Sequence, residues 1–166
     1  MDDMDNMTAI EDQKSLSTAA LENLMREVLD EGSCFRFQAK GSSMAPFILD
    51  GDLVTISPLL DPTPHIGEVV AFVNVGMQRL VVHRIVSQVQ DGYLIKGDNQ
   101  TGFGDGLIPP QNILGRVMHV ERAGRIIRLG LGLERYLIAL LSRKCLLQPY
   151  LSFLAPLLRP LRKVLM

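Results

Sequence analysis

Hydrophobic patterning divides the chain of 166 residues into three regimes. Leu21, Leu24, Met25, Val28 and Leu29 recur at spacings of three and four, and this period predicts an amphipathic helix over Thr18–Asp30, with Gly32 as its stop. From Cys34 the period changes. Short Val- and Ile-rich runs between Gly, Pro, Asn and Asp predict strands at Cys34–Lys40, Leu53–Pro58, Glu68–Val73, Arg79–Val86, Tyr93–Lys96 and Asn112–Glu121, with a further one at Arg125–Leu129. Alternation within the runs is imperfect, as suits strands covered on both faces. The expected fold class is mainly β, a coiled and mostly antiparallel sheet. From Leu131 the pattern turns Leu-rich and helical, broken by Pro149, Pro156 and Pro160.

Charge sharpens these boundaries. The net charge of −1 conceals nine acids against Lys14 and Arg26 in residues 1–32, and nine bases against Glu134 alone in residues 122–166. The organisation expected is an acidic head with the amphipathic helix (1–32), one β domain (33–129) and a basic, Leu-rich helical tail (130–166). Met1–Lys14, acidic and without period, reads as disordered. The longest uncharged stretch of the tail, Cys145–Leu158, has 14 residues and two prolines, whereas a spanning helix needs about 20. Leucines interleaved with Arg and Lys suit an anionic membrane surface, and equally a cover over the β domain or a protein partner. The head has no signal peptide or anchor, so the expected location is cytoplasmic, with the inner face of the membrane as a peripheral site. A single helix ahead of the β domain falls short of a helix-turn-helix pair, and no nucleic-acid partner is expected. Cys34 and Cys145, like His65, His83 and His119, lack ligand spacing, so neither metal nor cofactor is expected. Cys34 reads as a buried apolar residue.

Candidate chemistry concentrates in Gly41–Asp52, Gly-Ser-Ser-Met-Ala-Pro-Phe-Ile-Leu-Asp-Gly-Asp. A Ser-Met-x-Pro turn runs into an apolar pair and then an Asp-Gly-Asp turn. A serine in such a turn is presented rather than buried, and Gly41 lets backbone come close. Four further elements follow in order: Gly67-Glu68-Val69-Val70-Ala71-Phe72, Leu80-Val81-Val82-His83-Arg84-Ile85-Val86, Gly97-Asp98-Asn99 with Asp105 beyond, and Ile113-Leu114-Gly115-Arg116-Val117. The ordered set resembles the signal peptidase I group and the related self-cleaving SOS and phage repressors, the S24/S26 serine peptidases. That resemblance implies the catalytic β-fold of those proteins between an N-terminal helix and a helical C-terminal tail.

In the same resemblance Ser43 takes the nucleophile position and His83 that of the general base. Bacterial signal peptidases and the repressors carry lysine there, whereas histidine is the pattern of endoplasmic-reticulum, archaeal and sporulation-type signal peptidases. A lysine of ordinary pKa near ~10.4 must be strongly desolvated before it accepts a proton at neutral pH, while an imidazole near ~6.5 needs chiefly orientation. Activity is therefore expected to fall as pH drops through about 6–7. Asp98 and Asp105 are the candidates for orienting His83; the resemblance favours Asp105, with Asp98 shaping the turn or supporting the site. Met44 is expected to shape the box, and Ser42 to stand beside the Ser43 N–H as a further oxyanion donor. Gly41 occupies the place where many signal peptidases have a serine that helps to hold the oxyanion.

The resemblance thus implies a serine endopeptidase that cuts leader or signal-like peptides after small residues through an acyl-enzyme, on an extended substrate laid beside the site. Typical signal peptidases also carry an N-terminal anchor, which this head lacks. Two other classes fit the same residues. One is a self-cleaving regulator with its scissile bond in Thr18-Ala19-Ala20 or at Ala20-Leu21; the other is an inactive peptide-binding or membrane-surface module of the same fold.

Overall fold

The Val- and Ile-rich runs pair into one curled antiparallel sheet. The computed structural model describes residues 20–59, 63–74, 76, 79–102, 104–147 and 149. Among them, helix α1 covers residues 20–30. Eight strands follow: β1 (Phe35–Gln38), β2 (Leu53–Ser57), β3 (Val69–Asn74), β4 (Arg79–Val89), β5 (Gly92–Lys96), β6 (Gly106–Ile108), β7 (Ile113–Arg122) and β8 (Arg125–Ile127). Helix α2 is Arg135–Arg143. The strand order is β1-β2-β7-β3-β4-β5-β6, with β8 paired to β7. Thr18 and Ala19 of the predicted helix, the head that reads as disordered and the tail beyond residue 149 lie outside the described residues.

Each strand expected from the pattern is present, and the fold class is the mainly β one. Strand β6 is an addition. Gly106-Leu107-Ile108 is too short to show a period, and its pairing with β5, Tyr93 opposite Ile108 and Leu94 opposite Leu107, is what makes it a strand. Imperfect alternation has the expected origin. Val69 and Ala71 of β3 enter one core cluster with Met25, Leu29, Met44 and Ile56, while Val70 and Phe72 enter another with Ile85, Tyr93 and Ile95. A strand buried on both faces has no polar face to alternate with. Irregularities at Thr55/Ile56, Ala71/Phe72 and Ile85/Ser87 interrupt the ladders and add the local bend and twist that curl the sheet.

Both helices seat on this sheet through a few apolar anchors. Met25 and Leu29 of α1 are buried in the first cluster, and each such side chain contributes about 1.5–3 kcal/mol by leaving water. Ile138 of α2, with Leu147 beyond it, packs against Phe47. One expectation fails: Cys34 is exposed. It sits in the connection between α1 and β1, ahead of the first strand pair, Phe35 with Ile56, so no sheet face covers it. Among the described residues no helix is long and apolar enough to cross a membrane.

Candidate active site

Strand β4 is 11 residues long but is paired on both sides only in part. β3 pairs with it from Arg79 to Arg84, whereas β5 joins at Arg84, opposite Lys96. The stretch Arg79–His83 therefore has one backbone edge uncovered by β5. His83 closes this stretch, and its imidazole is buried, with 3% of the side chain exposed.

Two groups meet that ring. Nε2 lies 2.8 Å from Ser43 Oγ, and Nδ1 lies 2.5 Å from Asp105 Oδ2. With its proton on Nδ1 the imidazole donates to Asp105, which leaves Nε2 to accept from the serine hydroxyl. The Asp105 side chain is only 2% exposed, so the contact is sheltered from water. Of the two acidic candidates, then, Asp105 reaches His83.

Asp98 faces elsewhere. Arg84 Nε donates to Asp98 Oδ1 and Oδ2 at 2.8 and 3.1 Å, and Arg84 Nη2 to Oδ2 at 2.6 Å. Arg84 Nη1 donates to the carbonyls of Gly67 and Gly130 at 2.8 and 2.7 Å, and the guanidinium lies over the Phe47 ring, 5.5 Å from its centroid. One buried arginine thus joins the loop after β5, the approach to β3 and the approach to α2. Lys96, the nearest lysine downstream of His83, turns its Nζ to the Ser142 carbonyl and Cys145 Sγ.

The Ser43 turn is held from three sides by residues that the motif reading did not single out. Asn99 N–H donates to the Ser43 carbonyl at 2.7 Å, and its side-chain amide to the Ser42 carbonyl at 3.0 Å. Asp50 Oδ1 accepts from Gly41 N–H at 2.7 Å, closing the ends of the box. Asp52 Oδ2 accepts from Leu49 N–H at 2.7 Å, and its carboxylate takes two hydrogen bonds from Arg122, each 2.8 Å. Burial alone would raise the Asp52 pKa; the Arg122 hydrogen bonds, the Leu49 N–H and the Arg122 charge outweigh it and hold the carboxyl below its ordinary value. The signal for these roles lay in the Asp-Gly-Asp and Gly-Asp-Asn triplets. Nothing in the sequence pointed to Arg122, which is 70 residues from Asp52.

Glycine is needed at two points. Gly41 has φ +91°, where a side chain is strained, although among the described residues nothing stands within 4 Å of a Cβ placed there. Backbone conformation, and not lack of room, sets this position against serine. Gly97 is the reverse case: its Cβ would lie 2.7 Å from the Ser43 carbonyl and 3.0 Å from His83 Nε2. Ser42 is exposed, and Met44 is buried in the core beneath the turn.

A cleft of about 640 Å³ opens beside Ser43 and His83. Phe37–Lys40 and Arg79–Val82 line it from the sides, with Asn99 at the turn and Leu21 from α1. Among the described residues no three His, Cys, Asp or Glu side chains converge as a metal site.

The sequence pattern of the Peptidase S24-like family matches residues 6–118, well over half of the chain, and the chain belongs to that family. No curated protein matches it. A domain of this family fits a serine peptidase or a repressor-type regulator, and the family also includes inactive members.

Proposed function

We propose that the protein is a serine endopeptidase of the signal peptidase-like type, cutting leader or signal-like peptides after small residues, with Ser43, His83 and Asp105 as its catalytic residues. The observation that carries this reading is the hydrogen-bond chain from Ser43 Oγ through His83 to Asp105, at 2.8 and 2.5 Å. His83 Nε2 takes the hydroxyl proton as Oγ attacks the substrate carbonyl. Asp105 keeps the ring in the required tautomer and stabilises the imidazolium, which then protonates the leaving amine. Water repeats the sequence on the acyl-enzyme. The Ser43 N–H has no acceptor among the described residues, which leaves it free to donate to the oxyanion.

The cleft favours an extended substrate. Ile85 exchanges hydrogen bonds with the Gly67–Glu68 segment, so along the regular ladder with β3 the alternate residues Leu80 and Val82 turn their backbone groups away from it. Opposite, Ala39 bonds Asp52 and Gly51, and Gln38 turns outward from edge strand β1. A peptide strand between these edges gains main-chain hydrogen bonds and brings one carbonyl to Ser43. A fluorophosphonate probe tests the chemistry: it is expected to label Ser43 in the wild-type protein and not in His83→Ala. An unlabelled wild-type protein would count for an inactive module.

Leu21 lines the same cleft, and this favours a second reading in which the head is itself a substrate, cut at Ala20-Leu21 or within Thr18-Ala19-Ala20. Incubation of wild-type protein beside Ser43→Ala distinguishes the two: loss of the head from the wild type alone supports self-cleavage, and two intact masses exclude it. As for surroundings, exposed Leu133, Tyr136, Leu137 and Leu140 stand among Arg135, Arg143 and Lys144 on and beside α2. This face favours an anionic membrane surface as a partner of residues 130–166.

A further inference from the structure

Lys96 ends β5 with its side chain inside the protein, 4% exposed. A buried ammonium is stable only when its charge and its protons find partners. Among the described residues Nζ has two, the Ser142 carbonyl at 3.1 Å and Cys145 Sγ at 3.5 Å, and no carboxylate pairs with it. Asp98 lines the same small pocket, but its carboxylate is gripped by Arg84. The side-chain partner of Nζ among the described residues is the Cys145 sulfur.

Cys145 follows the C-terminal end of α2 in the left-handed region, φ +56°, a place that glycine usually takes at a helix end. Its N–H bonds the Ser142 carbonyl at 3.0 Å, and the Leu146 N–H bonds Leu141 at 2.8 Å. A side chain in this conformation is strained, and here the turn brings Sγ to Lys96 and to the Gly102 carbonyl, 3.8 Å away. The pocket at this point measures about 50 Å³, room for one or two water-sized molecules. Ser142 also lines it, and among the described residues the buried Ser142 hydroxyl has no hydrogen-bond partner. A buried lysine in contact with sulfur, a hydroxyl with no partner among the described residues and space for a small polar molecule therefore meet in one place.

We propose that Cys145, held against Lys96, is a site of oxidation by hydrogen peroxide. The sulfur attacks one peroxide oxygen, and the S–O bond forms as the O–O bond breaks. The leaving oxygen takes the thiol proton, passed on by Lys96 Nζ, and departs as water. Sulfur gives two electrons to the peroxide and becomes a sulfenic acid, and Lys96 ends with the protons it began with. The Ser142 hydroxyl is available to hydrogen-bond the peroxide in the pocket. Gln100, Thr101 and Gly102 form another wall, so the modification stands against the loop that leads from Asn99 to Asp105.

Cys34 is the internal control: both cysteines are exposed, and among the described residues no lysine pairs with Cys34. Full-length protein is treated with limiting iodoacetamide near pH 6.5, and separately with hydrogen peroxide and dimedone, and both cysteines are quantified by peptide mass spectrometry. The Lys96 Nζ beside the sulfur favours its attack, so Cys145 is expected to be alkylated about tenfold or more faster than Cys34. Dimedone is expected to mark Cys145 first. Lys96→Met removes the advantage, and Lys96→Arg keeps part of it. Equal alkylation of the two thiols in the wild-type protein overturns the proposal, whether or not the variants fold. A folded Lys96→Met protein in which Cys145 reacts at the wild-type rate overturns it as well. Neither readout requires peptidase activity.

Discussion

Arg84 and Asp98 form a bidentate ion pair with both side chains fully buried, and Arg84 is the next residue on β4 after the histidine that meets Ser43. Because Arg84 also holds the Gly67 and Gly130 carbonyls, the pair ties the turn carrying Asp98 and Asn99 to the rest of the domain. Removing one partner leaves the other charge buried and unmatched. Asp98→Ala is expected to lower unfolding stability by about 3–5 kcal/mol in urea titrations. A loss under about 1 kcal/mol would show that water already shields this pair.

Asp105 acts on a different property. Asp105→Asn keeps the shape of the side chain but no longer selects an Nδ1 proton on His83. The expected result is a fall in kcat of about 10⁴-fold with stability nearly unchanged. The rate at which a fluorophosphonate phosphonylates Ser43, followed by intact mass, measures the loss. Unaltered phosphonylation in the Asn variant would remove Asp105 from the mechanism.

Gly97→Ala tests the spacing of Ser43 and His83 without touching either. The new methyl would stand 2.7 Å from the Ser43 carbonyl and 3.0 Å from His83 Nε2, and it has to push them apart. A displacement of about 1 Å in a reacting pair costs on the order of 10²-fold in rate. Labelling at wild-type speed would show that the turn yields without disturbing the pair.

The Asp52–Arg122 pair gives a pH dependence with a definite sign. The folded-state pKa of Asp52 is held below its ordinary value, so its stabilisation is present above the unfolded-state pKa, about 3.9, and is lost as pH falls through the folded value. Arg122→Met is therefore expected to be less stable than wild type at neutral pH, with the gap closing below about pH 4. Thermal melts across that range measure the gap. A gap that persists undiminished in acid would assign the loss to packing of the arginine stem instead.

The exposed face of α2 makes a prediction about surfaces. Leu137 and Leu140 are 57% and 49% exposed, and basic residues flank them. The full chain is expected to float with vesicles containing anionic lipid and to detach as salt rises. Each basic residue near such a surface contributes about 1 kcal/mol. Leu137→Glu with Leu140→Glu should weaken flotation. Binding that survives this double substitution would move the contact away from α2.

Much of this arrangement could be read along the chain. Strand runs such as Leu53–Ser57 and Val69–Asn74 are short, β-branched and bounded by turn residues, and this local chemistry suffices to place them. The order of the five motif elements, with Ser43 in a presenting turn and His83 on a strand, is equally local. Strand β6 was not legible, because three residues show no period and their extension depends on β5 alongside.

Which carboxylate faces His83 is another matter. Asp98 and Asp105 share one glycine-containing loop, and either could have swung to the ring. Arg84, buried and needing an anion, engages the first and leaves the second for Nδ1. The contact of Lys96 with a cysteine 49 positions away, and that of Asp52 with Arg122, arise in the same way. Periodicity and turn chemistry act between near neighbours, so the chain alone shows its strands, its turns and its candidate residues. Ion pairing under burial acts between whichever groups the packed sheet brings together, so only the folded molecule decides each partner.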